Sequence, residues 1–274
     1  MSDLQPSFLR SFRPLPQCYI LGMVAANPAT QTVEIIQELD VIIRAGGPYA
    51  DPNEFTWRSL KRRAERVRDV DAVAGWGVLA LLYAIAGDVE EMERCFRAAH
   101  ALAPNDRTNT NNWIVMRTNL GRNLAALDLA LKHATVESGF FSERFGPLVR
   151  AGGIQAAAER IRRAKEIGLN VEGLGFEYLP QAAKILAEAG VEDQAIARQL
   201  EVAGRLLAET GQLHVGETVV DVNDEPSVYV GVTYILRVGM SSEAVFNMNI
   251  ALANAEQEAG IERHPAFDVS FAVA

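Results

Sequence analysis

Four glycines divide the middle of this chain into near-equal lengths, and their spacing restricts the fold more than any other feature. Gly87 in "AGD", Gly121 in "LGR", Gly153 in "AGG" and Gly190 in "EAG" are separated by 34, 32 and 37 residues. The segments between them carry apolar residues at three- and four-residue steps, which is the period of a helix. A repeat of this length is one helix-turn-helix unit: two helices bury a face on each other, and the remaining apolar face requires a neighbouring unit. Stacked helical hairpins are therefore expected from Thr30 to about Gly211.

The flanks fill in the rest. Residues 1–29 are rich in Pro and small polar residues and read as an irregular lead-in. The first helical stretch places Val33, Ile36, Leu39 and Ile43 on one face and stops at Gly46 and Gly47. The next opens on Asp51-Pro52 and carries Phe55, Leu60 and Val67 among many charges. Beyond Gly211 the texture changes to Val, Thr and Tyr. Val228, Val230, Val232, Tyr234, Leu236 and Val238 alternate with Tyr229, Gly231, Thr233 and Arg237, the period of a half-buried strand. A helix capped by Ser242, with Val245, Met248 and Leu252 on one side, follows. Phe267, Val269, Phe271 and Val273 then alternate again. The expected organisation is a lead-in (1–29), a helical domain (30–211) and a small strand-strand-helix-strand unit (212–274). A three-stranded sheet is marginal alone. It must pack on the last helices, pair its edge with another copy or accept a partner's strand.

One stretch, "WGVLALLYAIAGDVEEMERCFRAAHALAPND", carries a more specific pattern. Trp76, Leu79 and Tyr83 share one helix face, Gly87 and Asp88 turn the chain, Asp88 is placed to cap the second helix, and Phe96, Ala99 and Pro104 line and end that helix. These positions resemble the tetratricopeptide repeat, with Ala80 in place of the family's glycine and Met92 in place of its first small alanine. Carried forward by one period, Gly121 and Ala126 match again, while Trp113 is displaced and the closing Pro is missing. The resemblance covers mainly residues 73–140 and implies a mainly α fold, an α-solenoid of helical hairpins, before the small α+β tail.

The resemblance also implies a function. In that family the first helices of successive repeats line a groove that receives a peptide or helix of a partner protein. The corresponding positions here are Leu81 and Ile85 on the first unit, and Asn111, Asn112, Val115, Thr118 and Asn119 on the second. Asn side chains pair donor and acceptor atoms and so suit an extended backbone. The competing reading is that the apolar half is buried under the N-terminal helices and that Asn109, Asn111 and Asn112 form a capped helix entry. The groove reading implies an adaptor, a chaperone or an antitoxin-like binder.

Other classes have less support. With 26 basic and 35 acidic residues the net charge is -9, which disfavours nucleic-acid tracking despite the basic runs around Arg62 and Arg163. Those runs read as solvated helix faces, or as a stripe for an acidic peptide. Cys18 and Cys95 are too few and too far apart for a disulfide framework, consistent with a reduced, cytoplasmic setting. No run reaches the length of a membrane span. Four histidines show no metal-ligand spacing, no catalytic or phosphate-cradling motif is present, and neither metal nor cofactor is expected. An alternative enzyme reading places its site on the C-terminal sheet, with His214, Asp221, Asp224 and His264 as candidates. Self-association through that sheet is a further expectation.

Overall fold

The computed structural model describes residues 31–45, 47–133, 141–173, 175–213 and 217–274. The lead-in over residues 1–29, with Cys18, and His214 lie outside them. Among the described residues the chain is mainly helical and ends in a small three-stranded sheet. The helical part runs through α1 (Gln31–Ala45), α2 (Phe55–Val70), α3 (Ala72–Ile85), α4 (Val89–Leu102), α5 (Arg107–Asn119), α6 (Asn123–His133), α7 (Phe141–Arg150), α8 (Ile154–Glu166), α9 (Leu179–Glu188) and α10 (Asp193–Glu209).

Local chemistry sets the helix ends. The Asp71, Asp88 and Asp106 side chains accept hydrogen bonds from backbone N–H groups in the first turns of α3, α4 and α5. Gly87 and Gly121 turn the α3–α4 and α5–α6 hairpins at φ of 71° and 65°. The third turn uses Gly152, at φ 103°, and Gly153 serves as the N-cap of α8. Two apolar stripes differ from the sequence reading. On α1 the fully buried residues are Ile35, Leu39 and Ile43, and Val33 is only half-buried. On α2 they are Trp57, Leu60, Ala64 and Val67, while Phe55 is 78% exposed. Trp57 prevails because its indole donates to the Leu82 carbonyl at 3.3 Å and its ring meets Tyr83 edge-on.

Successive hairpins pack on one another through α3, α5 and α7, and α4 and α5 are tied by charge. Arg117 makes a two-pronged contact with Glu93, Nε to Oε1 at 2.6 Å and Nη2 to Oε2 at 2.8 Å, and Trp113 donates to the same carboxylate at 3.1 Å. The guanidinium lies 4.3 Å over the Trp113 ring, which itself stacks on Phe96. Burial works to raise the Glu93 pKa, and the Arg117 bonds and charge outweigh it, so the carboxyl sits below its ordinary value.

Helix α10 departs from simple stacking. It packs against α5, α6 and α8, along the edge where the hairpins turn. A Cβ on Gly121 would lie 2.5 Å from the Gly204 carbonyl carbon, and one on Gly152 would lie 2.9 Å from the Ala197 nitrogen. At the end of α10 the Gly211 carbonyl accepts from the Tyr49 amide, and the Tyr49 ring covers Gly87. The two-residue strands β1 (Gly47–Pro48) and β2 (Gln212–Leu213) pair antiparallel beside this contact. Gln212 and Leu213 therefore pack with the helical part.

That unit comprises β3 (Thr218–Glu225), β4 (Tyr229–Val238), α11 (Ser242–Glu258) and β5 (Phe267–Val273). β4 is central, antiparallel to β3 and parallel to β5. The cap of α11 is Ser241, one residue before the expected Ser242. Val232, Tyr234, Leu236 and Val238 are buried as the alternation predicts, with Val220, Phe267, Val269 and Phe271 alongside on the same face, while Val228, Val230 and Val273 of the same pattern are exposed. This face packs on α9 and α10, the first of the three fates a small sheet has.

Two predictions follow from these contacts. Gly204→Ala meets backbone and is expected to cost about 1–3 kcal/mol or more in urea unfolding. Gly239→Ala, with open space around it, should stay within about 0.5 kcal/mol of wild type. Glu93→Gln should lose about 1–3 kcal/mol at neutral pH. Because the folded pKa is depressed, this difference is complete above the ordinary value of 4.5. It shrinks as pH falls through the lower folded value, which unfolding curves from pH 7 to 3 would record.

Candidate functional site

The expected groove is closed. Leu81 and Ile85 are 2% and 1% exposed. They lie on α3, a helix apolar on every side and packed by α1, α2, α4 and α5. Asn112, Thr118 and Asn119 are buried, and Asn111 and Val115 are half-buried, on an α5 surrounded by α3, α4, α6, α7 and α10. Their polar atoms serve the fold. Arg150 of α7 donates to Asn119 Oδ1 at 2.7 Å, Asn123 donates to the Arg150 carbonyl at 3.3 Å, and Thr118 Oγ1 donates to the Val115 carbonyl. Asp106 caps α5 and accepts from the Asn109 side chain at 3.0 Å. In this conformation Leu81, Ile85, Asn112, Thr118 and Asn119 are covered by the chain's own helices, and Asn111 and Val115 keep part of their surface.

Of the enzyme reading's candidates, the described residues Asp221, Asp224 and His264 do not converge. Asp221 and Asp224 lie within strand β3. Asp221 is level with Thr233 and Asp268 across the sheet face turned away from α9 and α10. Asp224 sits on the opposite face and accepts from Gln181 of α9. His264 precedes β5, with β4 between it and β3. Among the described residues no group of three or more His, Cys, Asp or Glu side chains is placed to hold a metal ion. Burial raises the Cys95 thiol to about 11, so it is protonated near neutral pH and is no nucleophile.

Two concave surfaces stand out among the described residues. The first lies between α8 and α9, with a volume of about 460 Å³. One wall is α8, with Gln155, Ala158, Glu159, Ile161, Arg162 and Lys165; the other is Pro180, Ala183 and Ala187 on α9. The small alanines keep it shallow and wide. Arg162 and Arg163 pair with Glu159, and Arg162 also with Glu166, while no ion pair involves Lys165 among the described residues. A sequence signal for this surface, the apolar-to-basic step along α8, is present in "ERIRRAKE".

The second surface is a cleft of about 390 Å³ between the start of α10 and the loop joining α11 to β5. Val191, Ala195, Arg198 and Gln199 form one wall, and Ile261, Glu262, His264 and Phe267 the other. Behind it, Gln199 donates to Glu256 at 2.7 Å and Arg263 pairs with the same carboxylate, which is 1% exposed. His264 Nδ1 accepts from the Ala266 amide at 3.1 Å, leaving Nε2 as the ring's free nitrogen.

No family model matches the chain, and no curated protein or solved structure does either. No helix among the described residues is long and apolar enough to cross a membrane.

Asn119→Ala is expected to lower stability by about 1–3 kcal/mol, since it removes a partner of a charged donor in the interior. An unchanged denaturation midpoint would argue against its structural role.

Proposed function

We propose that this protein is a non-catalytic binding module whose helical part is a short tetratricopeptide-like array, and that it captures an amphipathic, acidic-apolar segment of a partner protein between α8 and α9. The resemblance of residues 73–140 supports the array, together with the hairpins packed in sequence through α3, α5 and α7. The α8–α9 groove carries the binding reading. It pairs an apolar floor of Ala158, Ile161, Ala183 and Ala187 with a rim of Arg162 and Lys165, on a chain of net charge -9.

A helix laid into such a groove would place its small or branched apolar residues against the alanines, where backbones approach closely. Its acidic residues would meet Lys165, which has no ion-pair partner among the described residues. This relocates capture from the inner face to the outer one, with the same class of ligand. The mode needs no catalytic group and no cofactor.

The test compares variants against one co-purifying protein from the native cell. Ala183→Trp and Ala187→Trp fill the groove from exposed or half-exposed positions and should weaken capture at least about tenfold, a loss of one good anchor contact. Lys165→Glu should slow association and reduce its sensitivity to salt. Hydrogen exchange on the purified complex should show protection concentrated in α8 and α9. Full retention of the partner by both Trp variants would overturn the proposal.

A further inference from the structure

We infer that the cleft between α10 and the α11–β5 loop binds a small apolar zwitterion, an apolar amino acid or dipeptide, with Arg198 taking its carboxylate and Glu262 its ammonium group. The cleft shares no lining residue with the α8–α9 groove and the inference does not depend on that proposal.

The charges carry the first step. Arg198 projects from α10 and Glu262 from the opposite loop, both exposed, and both line the same cleft. They form no ion pair with each other, and neither has an ion-pair partner elsewhere among the described residues. A cation and an anion that face one cavity from opposite walls without meeting present complementary ends to a ligand carrying both signs. A simple anion would satisfy Arg198 and be repelled by Glu262; a simple cation would suffer the reverse. A zwitterion satisfies both.

The space between them favours an apolar body. Val191, Ala195, Ile261 and Phe267 line the cleft, and Val191 and Phe267 are 6% and 4% exposed, so this part of the lining is fixed by the core. A volume of about 390 Å³ lies at the small end of ligand sites, which span roughly 300–1,000 Å³. It excludes a folded segment and suits one or two residues.

The surroundings are held rigid. Gln199 is 3% exposed and anchored to Glu256, and Glu256 is bound in turn by Arg263. The loop is pinned by the His264 and Phe267 backbone bridge and by the Ala266 amide on His264 Nδ1. With Nδ1 accepting that bond, Nε2 is the ring nitrogen placed to donate to the ligand's carboxylate. Preorganised walls reduce the ordering cost of binding.

Leucine and leucyl-leucine are the probes, titrated into the full chain and followed by backbone amide NMR and calorimetry. One or both should saturate, with shifts in residues 190–199 and 260–267, and the smaller or larger binder identifies the ligand's length. N-acetylation or C-terminal amidation of the bound probe should each weaken it at least about tenfold, as should Arg198→Gln and Glu262→Gln, since each deletes one charged hydrogen-bond partner. Both positions are exposed, and the exchanged pair Arg198→Glu with Glu262→Arg should recover part of the binding that either single reversal loses. Absence of saturation by both probes overturns the inference. So does binding that is indifferent to the blocked termini or to the two Gln variants.

Discussion

The close crossing of α10 over the hairpin turns governs the arrangement of everything else. At Gly121 and Gly204 two backbones come so near that neither position tolerates a side chain. Along α10 the contacts fall at Ala197 and Gly204, seven residues apart, against the turns at Gly152 and Gly121, and just past the helix Gly211 holds Tyr49, whose ring covers Gly87. Seven helical residues rise about 10.5 Å, and packed helices stand about 8–10 Å apart. The strap thus matches the spacing of the hairpins it crosses. The turn glycines are required twice over, once for positive φ and once for the absence of a Cβ.

Crossing the turns also puts α10 beside helix N-termini, where backbone N–H groups lack partners. Glu201 accepts from the Leu124 amide at the start of α6, and Asp193 accepts from the Gln155 and Ala156 amides at the start of α8. The helix that closes the edge therefore also caps two others. Burial pushes the Asp193 carboxyl above its ordinary value even with those amide donors around it. The same helix and its neighbours seat the C-terminal unit. Tyr234 donates from the sheet to the Val149 carbonyl at 2.7 Å, and Gln199 joins α10 to α11 through Glu256. Asn249 of α11 brackets the Phe271 backbone with both amide atoms and so shuts the outer edge of β5.

Local periodicity made the elements legible: the hairpins, the Asp88 cap, and the alternating core face of β4 and β5 are all written in short windows. Long-range geometry was not. Phe55 and Trp57 look equally fit for the core of α2, and only the Leu82 carbonyl, 25 residues on, selects Trp57. Asn112 and Asn119 carry the composition of a ligand-facing surface, yet Arg150 and the helices around α5 turn Asn119 into interior scaffolding. Gly204 sits unremarkably inside a helical pattern, where its cost relative to alanine was the one hint of a close contact. The α8–α9 groove was half-visible as a stripe. The cleft at Arg198 and Glu262 was invisible, because its walls are separated by more than sixty positions in the chain and meet only through α11.

Closure has a consequence for where binding is proposed. An open stack of hairpins can spread its inner face to admit a ligand, because each unit contacts only its neighbours. Here α10 touches α5, α6 and α8 at once, and β1 with β2 ties the end of that helix back to the segment after α1. Spreading the inner face would break the glycine contacts and both carboxylate caps together, so the interior is held shut by interactions that fail only as a group. The proposed groove, and the proposed cleft that has α10 as one wall, lie elsewhere: their walls include buried residues such as Ile161 and Phe267, and Lys165, Arg198 and Glu262 stand outside every ion pair among the described residues.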